Sequence, residues 1–373
     1  MNVPQLTFYD CSRVYYSSYY LEGFYALKKT NNLQIAITPC LPAQLKAALQ
    51  NKDWQHLLFA MILFKFQKGD KEWFFCIDTH DSNEVKSQDH TGGYHLPLLQ
   101  QVDVYFKVNY NPEVIARTPA LESFSNKIVS IAQFFPLKPP LFSLLSSKLV
   151  WPSTLFGYAP GLNYNQPYDG YLSEAKYRLR DLKNFLTLQQ ILAYRNVQKD
   201  IDIFYVTSYR HQSRHETVMQ RRYQVMQKLA AIDTLKTVMG FTSYFPLPEK
   251  YAGVSRQRLN QLEYLETLAR SRIVIYTQGI EGCISSKFSL AMALGAAVAG
   301  EPLANNPQMR MAYPHLKQQF GYTNPDKLVN QAIHLANDPD KTQTLGILNA
   351  AMFDNTLAPR PTAEYVLQLL DKI

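Results

Sequence analysis

The sequence predicts an α/β protein of two domains, and three observations carry that prediction. At 373 residues the chain is longer than one average domain of about 150 residues. Apolar, strand-like runs alternate with helix-like segments in both halves, the pattern of sheets covered by helices. Between the halves, residues 136–167 are rich in proline and glycine and follow neither the strand nor the helix period, as a linker does. The expected division is an N-terminal domain over 1–150, a linker and connecting helix over 151–195, a C-terminal domain over 196–350, and a last helix over 351–373 free to pack back on the first domain.

The elements follow in order. Residues 6–9 and 33–38 read as strands on either side of a Tyr-rich segment that ends near Lys28, a β-α-β cadence. Residues 57–66 and 73–78 are apolar runs joined through Lys68-Gly69-Asp70-Lys71, whose glycine suits a tight turn between antiparallel strands. Residues 102–108 and 127–135 supply two more strands, and an amphipathic helix is expected near 173–194. In the second half, 201–207, 235–241 and 273–277 read as buried strands. Helices are expected over 215–232, with Val218, Met219, Val225, Met226 and Leu229 on one stripe, and over 257–271, with Leu259, Leu262, Leu265 and Leu268. In the latter, Glu266 precedes Arg270 by four residues, the favourable order for an ion pair. Residues 285–294 form a helix that is apolar on nearly every side. The absence of a fixed short repeat disfavours a solenoid or a propeller.

Composition excludes several classes. With 46% hydrophobic and 18% charged residues the chain has ample material for cores and no bulk signature of disorder. The longest apolar runs, 57–64 and 288–300 with Ser289 inside, fall short of the roughly 20 residues of a membrane span. The first residues lack the basic lead and apolar stretch of a secretory signal, so a cytoplasmic location is expected. Cys11, Cys40, Cys76 and Cys283 form no CxxC pair and are expected as reduced thiols. The net charge of +8 favours a partner with negative charge: a phosphate-bearing molecule, nucleic acid or, by peripheral contact, an anionic membrane. Tyr15, Tyr16, Tyr19, Tyr20 and Tyr25 crowd one segment; core packing is the expected use of such rings ahead of sugar stacking.

Parallel sheets bind ligands beyond the C-terminal ends of their strands. There, residues 277–288 combine Gly279 and Gly282, Glu281, the hydroxyls Ser285 and Ser286, and Lys287 on the first turn of the apolar helix. A cation is unfavourable at the positive end of a helix unless it neutralises something, so Lys287 suggests an anionic ligand such as a diphosphate. The competing reading has Ser285 merely capping and Lys287 solvated.

Segments 264–269, 272–279 and 285–295 together resemble the nucleotide-sugar half of GT-B glycosyltransferases of the bacterial polysaccharide type. Segments 77–82 and 103–110 resemble stretches of the first half of the same group. The resemblance implies two Rossmann-like domains facing across a cleft, the C-terminal one holding a nucleoside-diphosphate sugar as co-substrate and the N-terminal one a hydroxyl acceptor, in surface polysaccharide or glycoconjugate synthesis. It further implies that Lys287 and the amides after Cys283 hold the diphosphate, with Arg210 and Arg214 steadying the leaving group. The alternative for these arginines, beside His211, His215, Arg221 and Arg222, is a solvated basic helix.

Glu281 matches the first of two glutamates found in many retaining members, but Leu290 stands near the place of the second. Glu301 is then the candidate for the ribose. The retaining mechanism loses support, and a non-catalytic nucleotide-sugar-binding protein stays open. So does a relative that epimerises a nucleotide sugar or acts on nucleic acid, although nucleic acid is disfavoured as a partner.

Transfer with inversion needs a base on the acceptor hydroxyl, and Asp81 or His80 is expected to serve with Asp78 orienting. An Asp-rich turn is the competing reading. Lys107 interrupts an apolar strand and is expected on a solvent face ahead of facing an anion. No metal is expected: Asp200-Ile201-Asp202 has Asp-x-Asp spacing but starts a strand, and His211 and His215 lack an intervening Glu in HExxH register. The GxGxxG, GxxxxGK[ST] and GxSxG signatures are missing from the expected places, which removes the main support for dinucleotide, P-loop and serine-hydrolase readings.

Overall fold

The computed structural model describes residues 3–9, 12–30, 32–38, 41–50, 54–85, 93–138, 180–181, 183–303 and 314–373. The fold class is α/β, and the chain divides into two compact units. Met1–Thr187 with Leu357–Ile373 forms the first, and Leu188–Ala304 with Met309–Thr356 the second. Most of the expected linker and helix over 151–195 lies outside the described residues, as do Cys11 and Cys40. Cys76 and Cys283 are buried and form no disulfide.

The first unit is built on a six-stranded sheet in the order β2-β1-β3-β4-β5-β6. Its strands are β1 (Gln5–Tyr9), β2 (Gln34–Thr38), β3 (Met61–Lys68), β4 (Lys71–Asp78), β5 (Val104–Lys107) and β6 (Ile128–Ser130). β3 runs antiparallel to both neighbours, while the β1–β2, β4–β5 and β5–β6 pairs are parallel. The expected β3–β4 hairpin is present, turning at Gly69 with φ +61°, a conformation that glycine adopts without a Cβ penalty. The alternation of β3 sends Phe64 and Phe66 to one face and Met61 and Leu63 to the other. On the first face Phe64 stacks on Phe75 at 4.9 Å and meets Phe24 of α1 (Val14–Lys29) at 5.2 Å. On the second face Met61, Leu63, Cys76 and Tyr105 pack with Leu45 of α2 (Ala43–Gln50) and Leu98 of α3 (Leu96–Gln101).

Helix α1 is buried almost all round because the last helix, Pro359–Leu370, covers its far side. A Cβ on Gly23 would lie 2.0 Å from Pro359 O, so the two helices approach at a distance that only glycine permits. Tyr19 donates its hydroxyl to Leu357 O, and Tyr20 donates to Ala132 O at 3.0 Å. Tyr19, Tyr20 and Tyr25 are therefore core residues, each with an apolar body and a polar tip.

The second unit carries a four-stranded, all-parallel sheet in the order β10-β9-β7-β8. Its strands are β7 (Ile201–Ser208), β8 (Thr237–Thr242), β9 (Ser271–Tyr276) and β10 (Ala297–Gly300). The chain moves outward from β7 to β8, then crosses back to add β9 and β10 on the other side. The direction of winding thus reverses between β7 and β9, which places a crevice at their carboxyl ends. Helix α4 (Glu216–Ala230) sets Met219, Val225, Met226 and Leu229 against Ile203, Tyr205, Ile273 and Ile275. Helix α7 (Pro325–Ala336) joins the same cluster. Phe204 points the other way and meets Tyr264 of α5 (Gln261–Ala269) at 5.3 Å, while Tyr276 meets Phe288 of α6 (Ser286–Ala293) at 6.0 Å. Edge strand β10 is tied to α8 (Pro339–Met352) through Gln319, which accepts from Val298 N at 2.8 Å and bonds to Asn349 at 2.9 Å.

Several expectations need correction. Residues 57–60 are not strand but part of a 3₁₀ turn, Gln55–Ala60, and 127–135 contributes only Ile128–Ser130 to the ladder. The helix expected over 257–271 starts at Gln261, because Asn260 and Glu263 form a reciprocal capping box at 2.9 and 2.8 Å. Leu262 is consequently exposed, and Arg270 pairs not with Glu266 but with Asp200, at 2.8 and 2.6 Å. Asp200 also takes Lys236 at 2.6 Å, and Asp202 takes Arg272 at 2.8 Å. The Asp-x-Asp pair is thus a salt-bridge anchor at the start of β7.

Candidate functional site

The parallel sheet of the second unit sends all its strand ends to one edge, and the residues singled out in 277–301 gather there. Tyr205, near the end of β7, bonds through its hydroxyl to Thr277 Oγ1 at 3.1 Å, just past β9. Arg222 reaches the same crevice from α4, donating to Gln278 O at 3.0 Å and approaching Ser208 O at 3.4 Å. One guanidinium therefore links the end of β7 to the loop that follows β9. Arg222 is only 7% exposed, and burial lowers its pKa before any neighbouring charge is counted.

Lys287 is the second residue of α6. Its Nζ lies 5.3 Å from the centre of the Tyr205 ring, a cation–π contact. No carboxylate pairs with it among the described residues. Burial pushes the ammonium down to about 7, and Arg222 pushes in the same direction. Ser285 occupies the N-cap of α6, yet its side chain makes no capping bond. Ser285 therefore does not cap through its hydroxyl, and among the described residues no side chain caps the first-turn amides of α6.

The loop between β9 and α6 is shaped by backbone constraints. Gly279 donates its N–H to Cys283 O at 2.8 Å, and a Cβ on Gly279 would lie 2.3 Å from Cys283 Sγ. A larger residue there would displace the Cys283 side chain. Glu281 has φ +55° and Gly282 φ +72°. Glu281 is the sole non-glycine with positive φ among the described residues, a conformation that costs on the order of 1 kcal/mol.

Glu301, the residue expected at the ribose, already engages both carboxylate oxygens within the protein. It is 2% exposed, with Oε1 paired to Arg221 Nε at 2.8 Å and Oε2 accepting from Gln278 N at 2.7 Å. Burial raises its pKa, while Arg221 and the Gln278 amide act against that rise. Glu301 fixes the entry of the loop and positions Arg221.

Arg210 and Arg214 join the same electrostatic group through His215. The imidazole is lowered first by burial and then by Arg214 and Arg210, with Glu281 acting oppositely and Arg222 adding to the depression. Arg214 Nε also approaches His215 Nε2 at 3.2 Å. Arg210 and Arg214 themselves are exposed, as the solvated alternative has them, whereas their neighbours His215 and Arg222 are buried. Sequence reasoning missed Arg222 as a functional residue. Its signal was its place three residues after Met219 and three before Val225, on the buried stripe of α4.

In the first unit, Asp78, His80 and Lys107 converge at the carboxyl ends of β4 and β5, where Asp78 and Lys107 are register partners. Asp78 Oδ2 accepts from Tyr105 Oη at 2.6 Å and Lys107 Nζ at 2.9 Å. Its Oδ1 accepts from His80 N at 2.9 Å and faces His80 Nδ1 at 2.7 Å. Burial alone would raise the Asp78 pKa, but Lys107, His80 and Tyr105 outweigh it and hold the carboxyl well below the usual range.

Lys107 is fully buried and also donates to His80 O at 3.0 Å, so its expected solvent position is overturned. The Asp78 anion offsets the cost of enclosing it. With Nδ1 held by Asp78, His80 is left with Nε2 as its other nitrogen, buried and without a hydrogen-bond partner in the described structure. Asp81 is partly exposed, and its backbone carbonyl accepts from Asn109 Nδ2. Asp78 thus orients His80, and the arrangement can offer one imidazole nitrogen as a proton acceptor.

Among the described residues no three His, Cys, Asp or Glu side chains cluster as a metal site, and no helix is long and apolar enough to cross a membrane. No protein-family model matches the chain, and no curated protein matches it in sequence. Among solved structures, the chain is similar to Anabaena Alr3699/HepE in complex with UDP-glucose, at 9% identity and a TM-score of 0.37, over 74% of this chain and 81% of that one. It is also similar to T4 phage BGT in complex with its UDP-glucose substrate, at 12% identity and a TM-score of 0.32, over 73% and 83% of the two chains. A glycosyltransferase from Rickettsia africae ESF-5 matches at 9% identity and a TM-score of 0.37, over 74% and 79%.

Proposed function

We propose that the chain is a glycosyltransferase that moves a sugar from a nucleoside-diphosphate donor to a hydroxyl acceptor. One observation carries this reading. At the winding reversal of a parallel sheet, Lys287 has no carboxylate partner among the described residues, and Arg222 beside it bonds only to carbonyl oxygens. Cations enclosed in this way are costly until an anion arrives. A diphosphate supplies two negative groups and can also accept from the first-turn amides of α6.

In this reading the bond from the sugar's anomeric carbon to the diphosphate oxygen breaks, and Lys287, Arg210 and Arg214 stabilise the charge that collects on the departing diphosphate. The acceptor oxygen forms the new bond to that carbon and loses its proton to His80 Nε2 or to Asp81, with Asp78 holding the imidazole. Bound cations do the work on the leaving group, so the reaction proceeds without a divalent metal. The acceptor belongs to surface polysaccharide or glycoconjugate synthesis, in the cytoplasm or against the anionic inner face of a membrane.

The direct test is incubation with a panel of nucleoside-diphosphate sugars and hydroxyl acceptors, with released nucleoside diphosphate as the readout. Release that depends on acceptor and is lost in His80→Gln and Asp81→Asn together supports the reading. Binding of donor with no release by the unmodified protein under any pairing contradicts it.

A further inference from the structure

The opposite edge of the second unit's sheet holds a cavity of about 460 Å³. It lies beside the segment before β7, the start of β9, the turn before β10 and one side of α8. Gly295 and Gly346 line it where two backbones meet. A Cβ on Gly346 would stand 2.4 Å from Gly295 O, and Gly295 has φ +63°. The volume falls within the range of about 300–1,000 Å³ seen for small-molecule sites.

Three cations line this cavity, and their partners differ. Arg195 forms a bidentate pair with Asp354, both contacts at 2.8 Å, and Arg272 pairs with Asp202 at 2.8 Å. Both are neutralised. Lys199 instead donates to two backbone carbonyls, Ala269 O at 3.0 Å and Ser271 O at 3.2 Å. It has no carboxylate partner among the described residues, and an ammonium carries three donors. Burial pushes it down to about 8. Around it Val197, Leu294 and Ile347 give the cavity an apolar wall, and Ile347 is 64% exposed.

We propose that this cavity binds a small organic anion, one carboxylate or phosphomonoester on an apolar body. Lys199 is the counter-ion, and Val197, Leu294 and Ile347 pack against the body. A neutral ligand leaves the ammonium uncompensated, whereas an inorganic anion leaves the apolar wall wet. The site occupies the amino ends of the strands, so it stands independently of the reading of the carboxyl edge.

The test is calorimetric titration of the full chain with 4-phenylbutyrate and with phenyl phosphate, using 4-phenylbutanol as the neutral control. The expected result is saturable binding of at least one anion, weakened by at least about tenfold in Lys199→Met and by a similar factor in Ala350→Leu, which fills the cavity without touching its charges. The alcohol binds more weakly than the anion it resembles. Ligand-free melting of each variant checks folding. If Lys199→Met does not fold, Ala350→Leu decides alone. No saturable signal at millimolar concentration, equal affinity for the alcohol, or unchanged affinity in a folded variant overturns the proposal.

Discussion

Lys287 and Tyr205 face each other at 5.3 Å across the crevice between α6 and β7, and the ring is the nearest thing to a counter-charge that the lysine has among the described residues. A ring quadrupole offers far less than a carboxylate, on the order of 1–2 kcal/mol. The ammonium is therefore held in a state that a bound anion improves.

The first prediction concerns pH and stability. Burial lowers Lys287 from the ordinary 10.5 to about 7, so between those values the unfolded chain binds more protons than the folded one. Stability then rises with pH across that window. Lys287→Met removes the penalty, and its ligand-free melting temperature should exceed that of the unmodified protein at pH 6. The gap should shrink as pH rises from about 7 toward 10.5. Melting curves over that range are the check.

Arg222 gives a second prediction. Arg222→Met leaves Gln278 O without its donor and removes the tie between the end of β7 and the loop after β9. Loss of a buried hydrogen bond of this kind costs about 1–3 kcal/mol. Denaturant unfolding should show that loss, and UDP binding should weaken with it because the crevice is no longer held.

Glu301 separates a structural role from a ligand contact. Glu301→Gln breaks the ion pair with Arg221 but keeps an acceptor for Gln278 N. The expected outcome is a stability loss of about 1–3 kcal/mol, with UDP affinity retained. A selective loss of uridine nucleotides over inorganic pyrophosphate, measured by calorimetry, would restore the ribose role.

In the first unit, Asp78→Asn leaves Lys107 fully buried without a counter-charge. Breaking a buried pair from one side costs about 3–5 kcal/mol, so severe destabilisation is expected in urea unfolding. In the unmodified protein the Asp78 pKa is depressed on folding. Its contribution to stability is therefore present above the ordinary carboxylate value and is lost only as pH falls through the lower, folded value. His80→Gln should unfold much closer to the unmodified protein.

The sequence revealed strands better than partners. Alternation and apolar runs placed β3, β4, β7 and β9 because side-chain periodicity is a local property. The start of α5 was also legible, in Asn260 and Glu263, but a leucine period drew the expected helix too far upstream. Lys107 was misread and Arg222 overlooked for one reason. A charge on an apolar stripe is solvated or paired depending on a residue far away in the chain, here Asp78 for Lys107 and the Gln278 carbonyl for Arg222. Lys287 stood out in the sequence because its position at a helix start conflicts with the helix's own field.

Calorimetric titration of a panel of nucleoside diphosphates, one per base, into the unmodified protein and into Lys287→Ala tests the central claim most directly. A phosphate-bearing ligand should bind the unmodified protein saturably, and at pH 8 binding should take up protons as the lysine recovers its charge. In a folded Lys287→Ala both the proton uptake and most of the affinity should vanish. Equal affinity in the two proteins for the diphosphate that binds, or no binding of any member of the panel to either, would contradict the account.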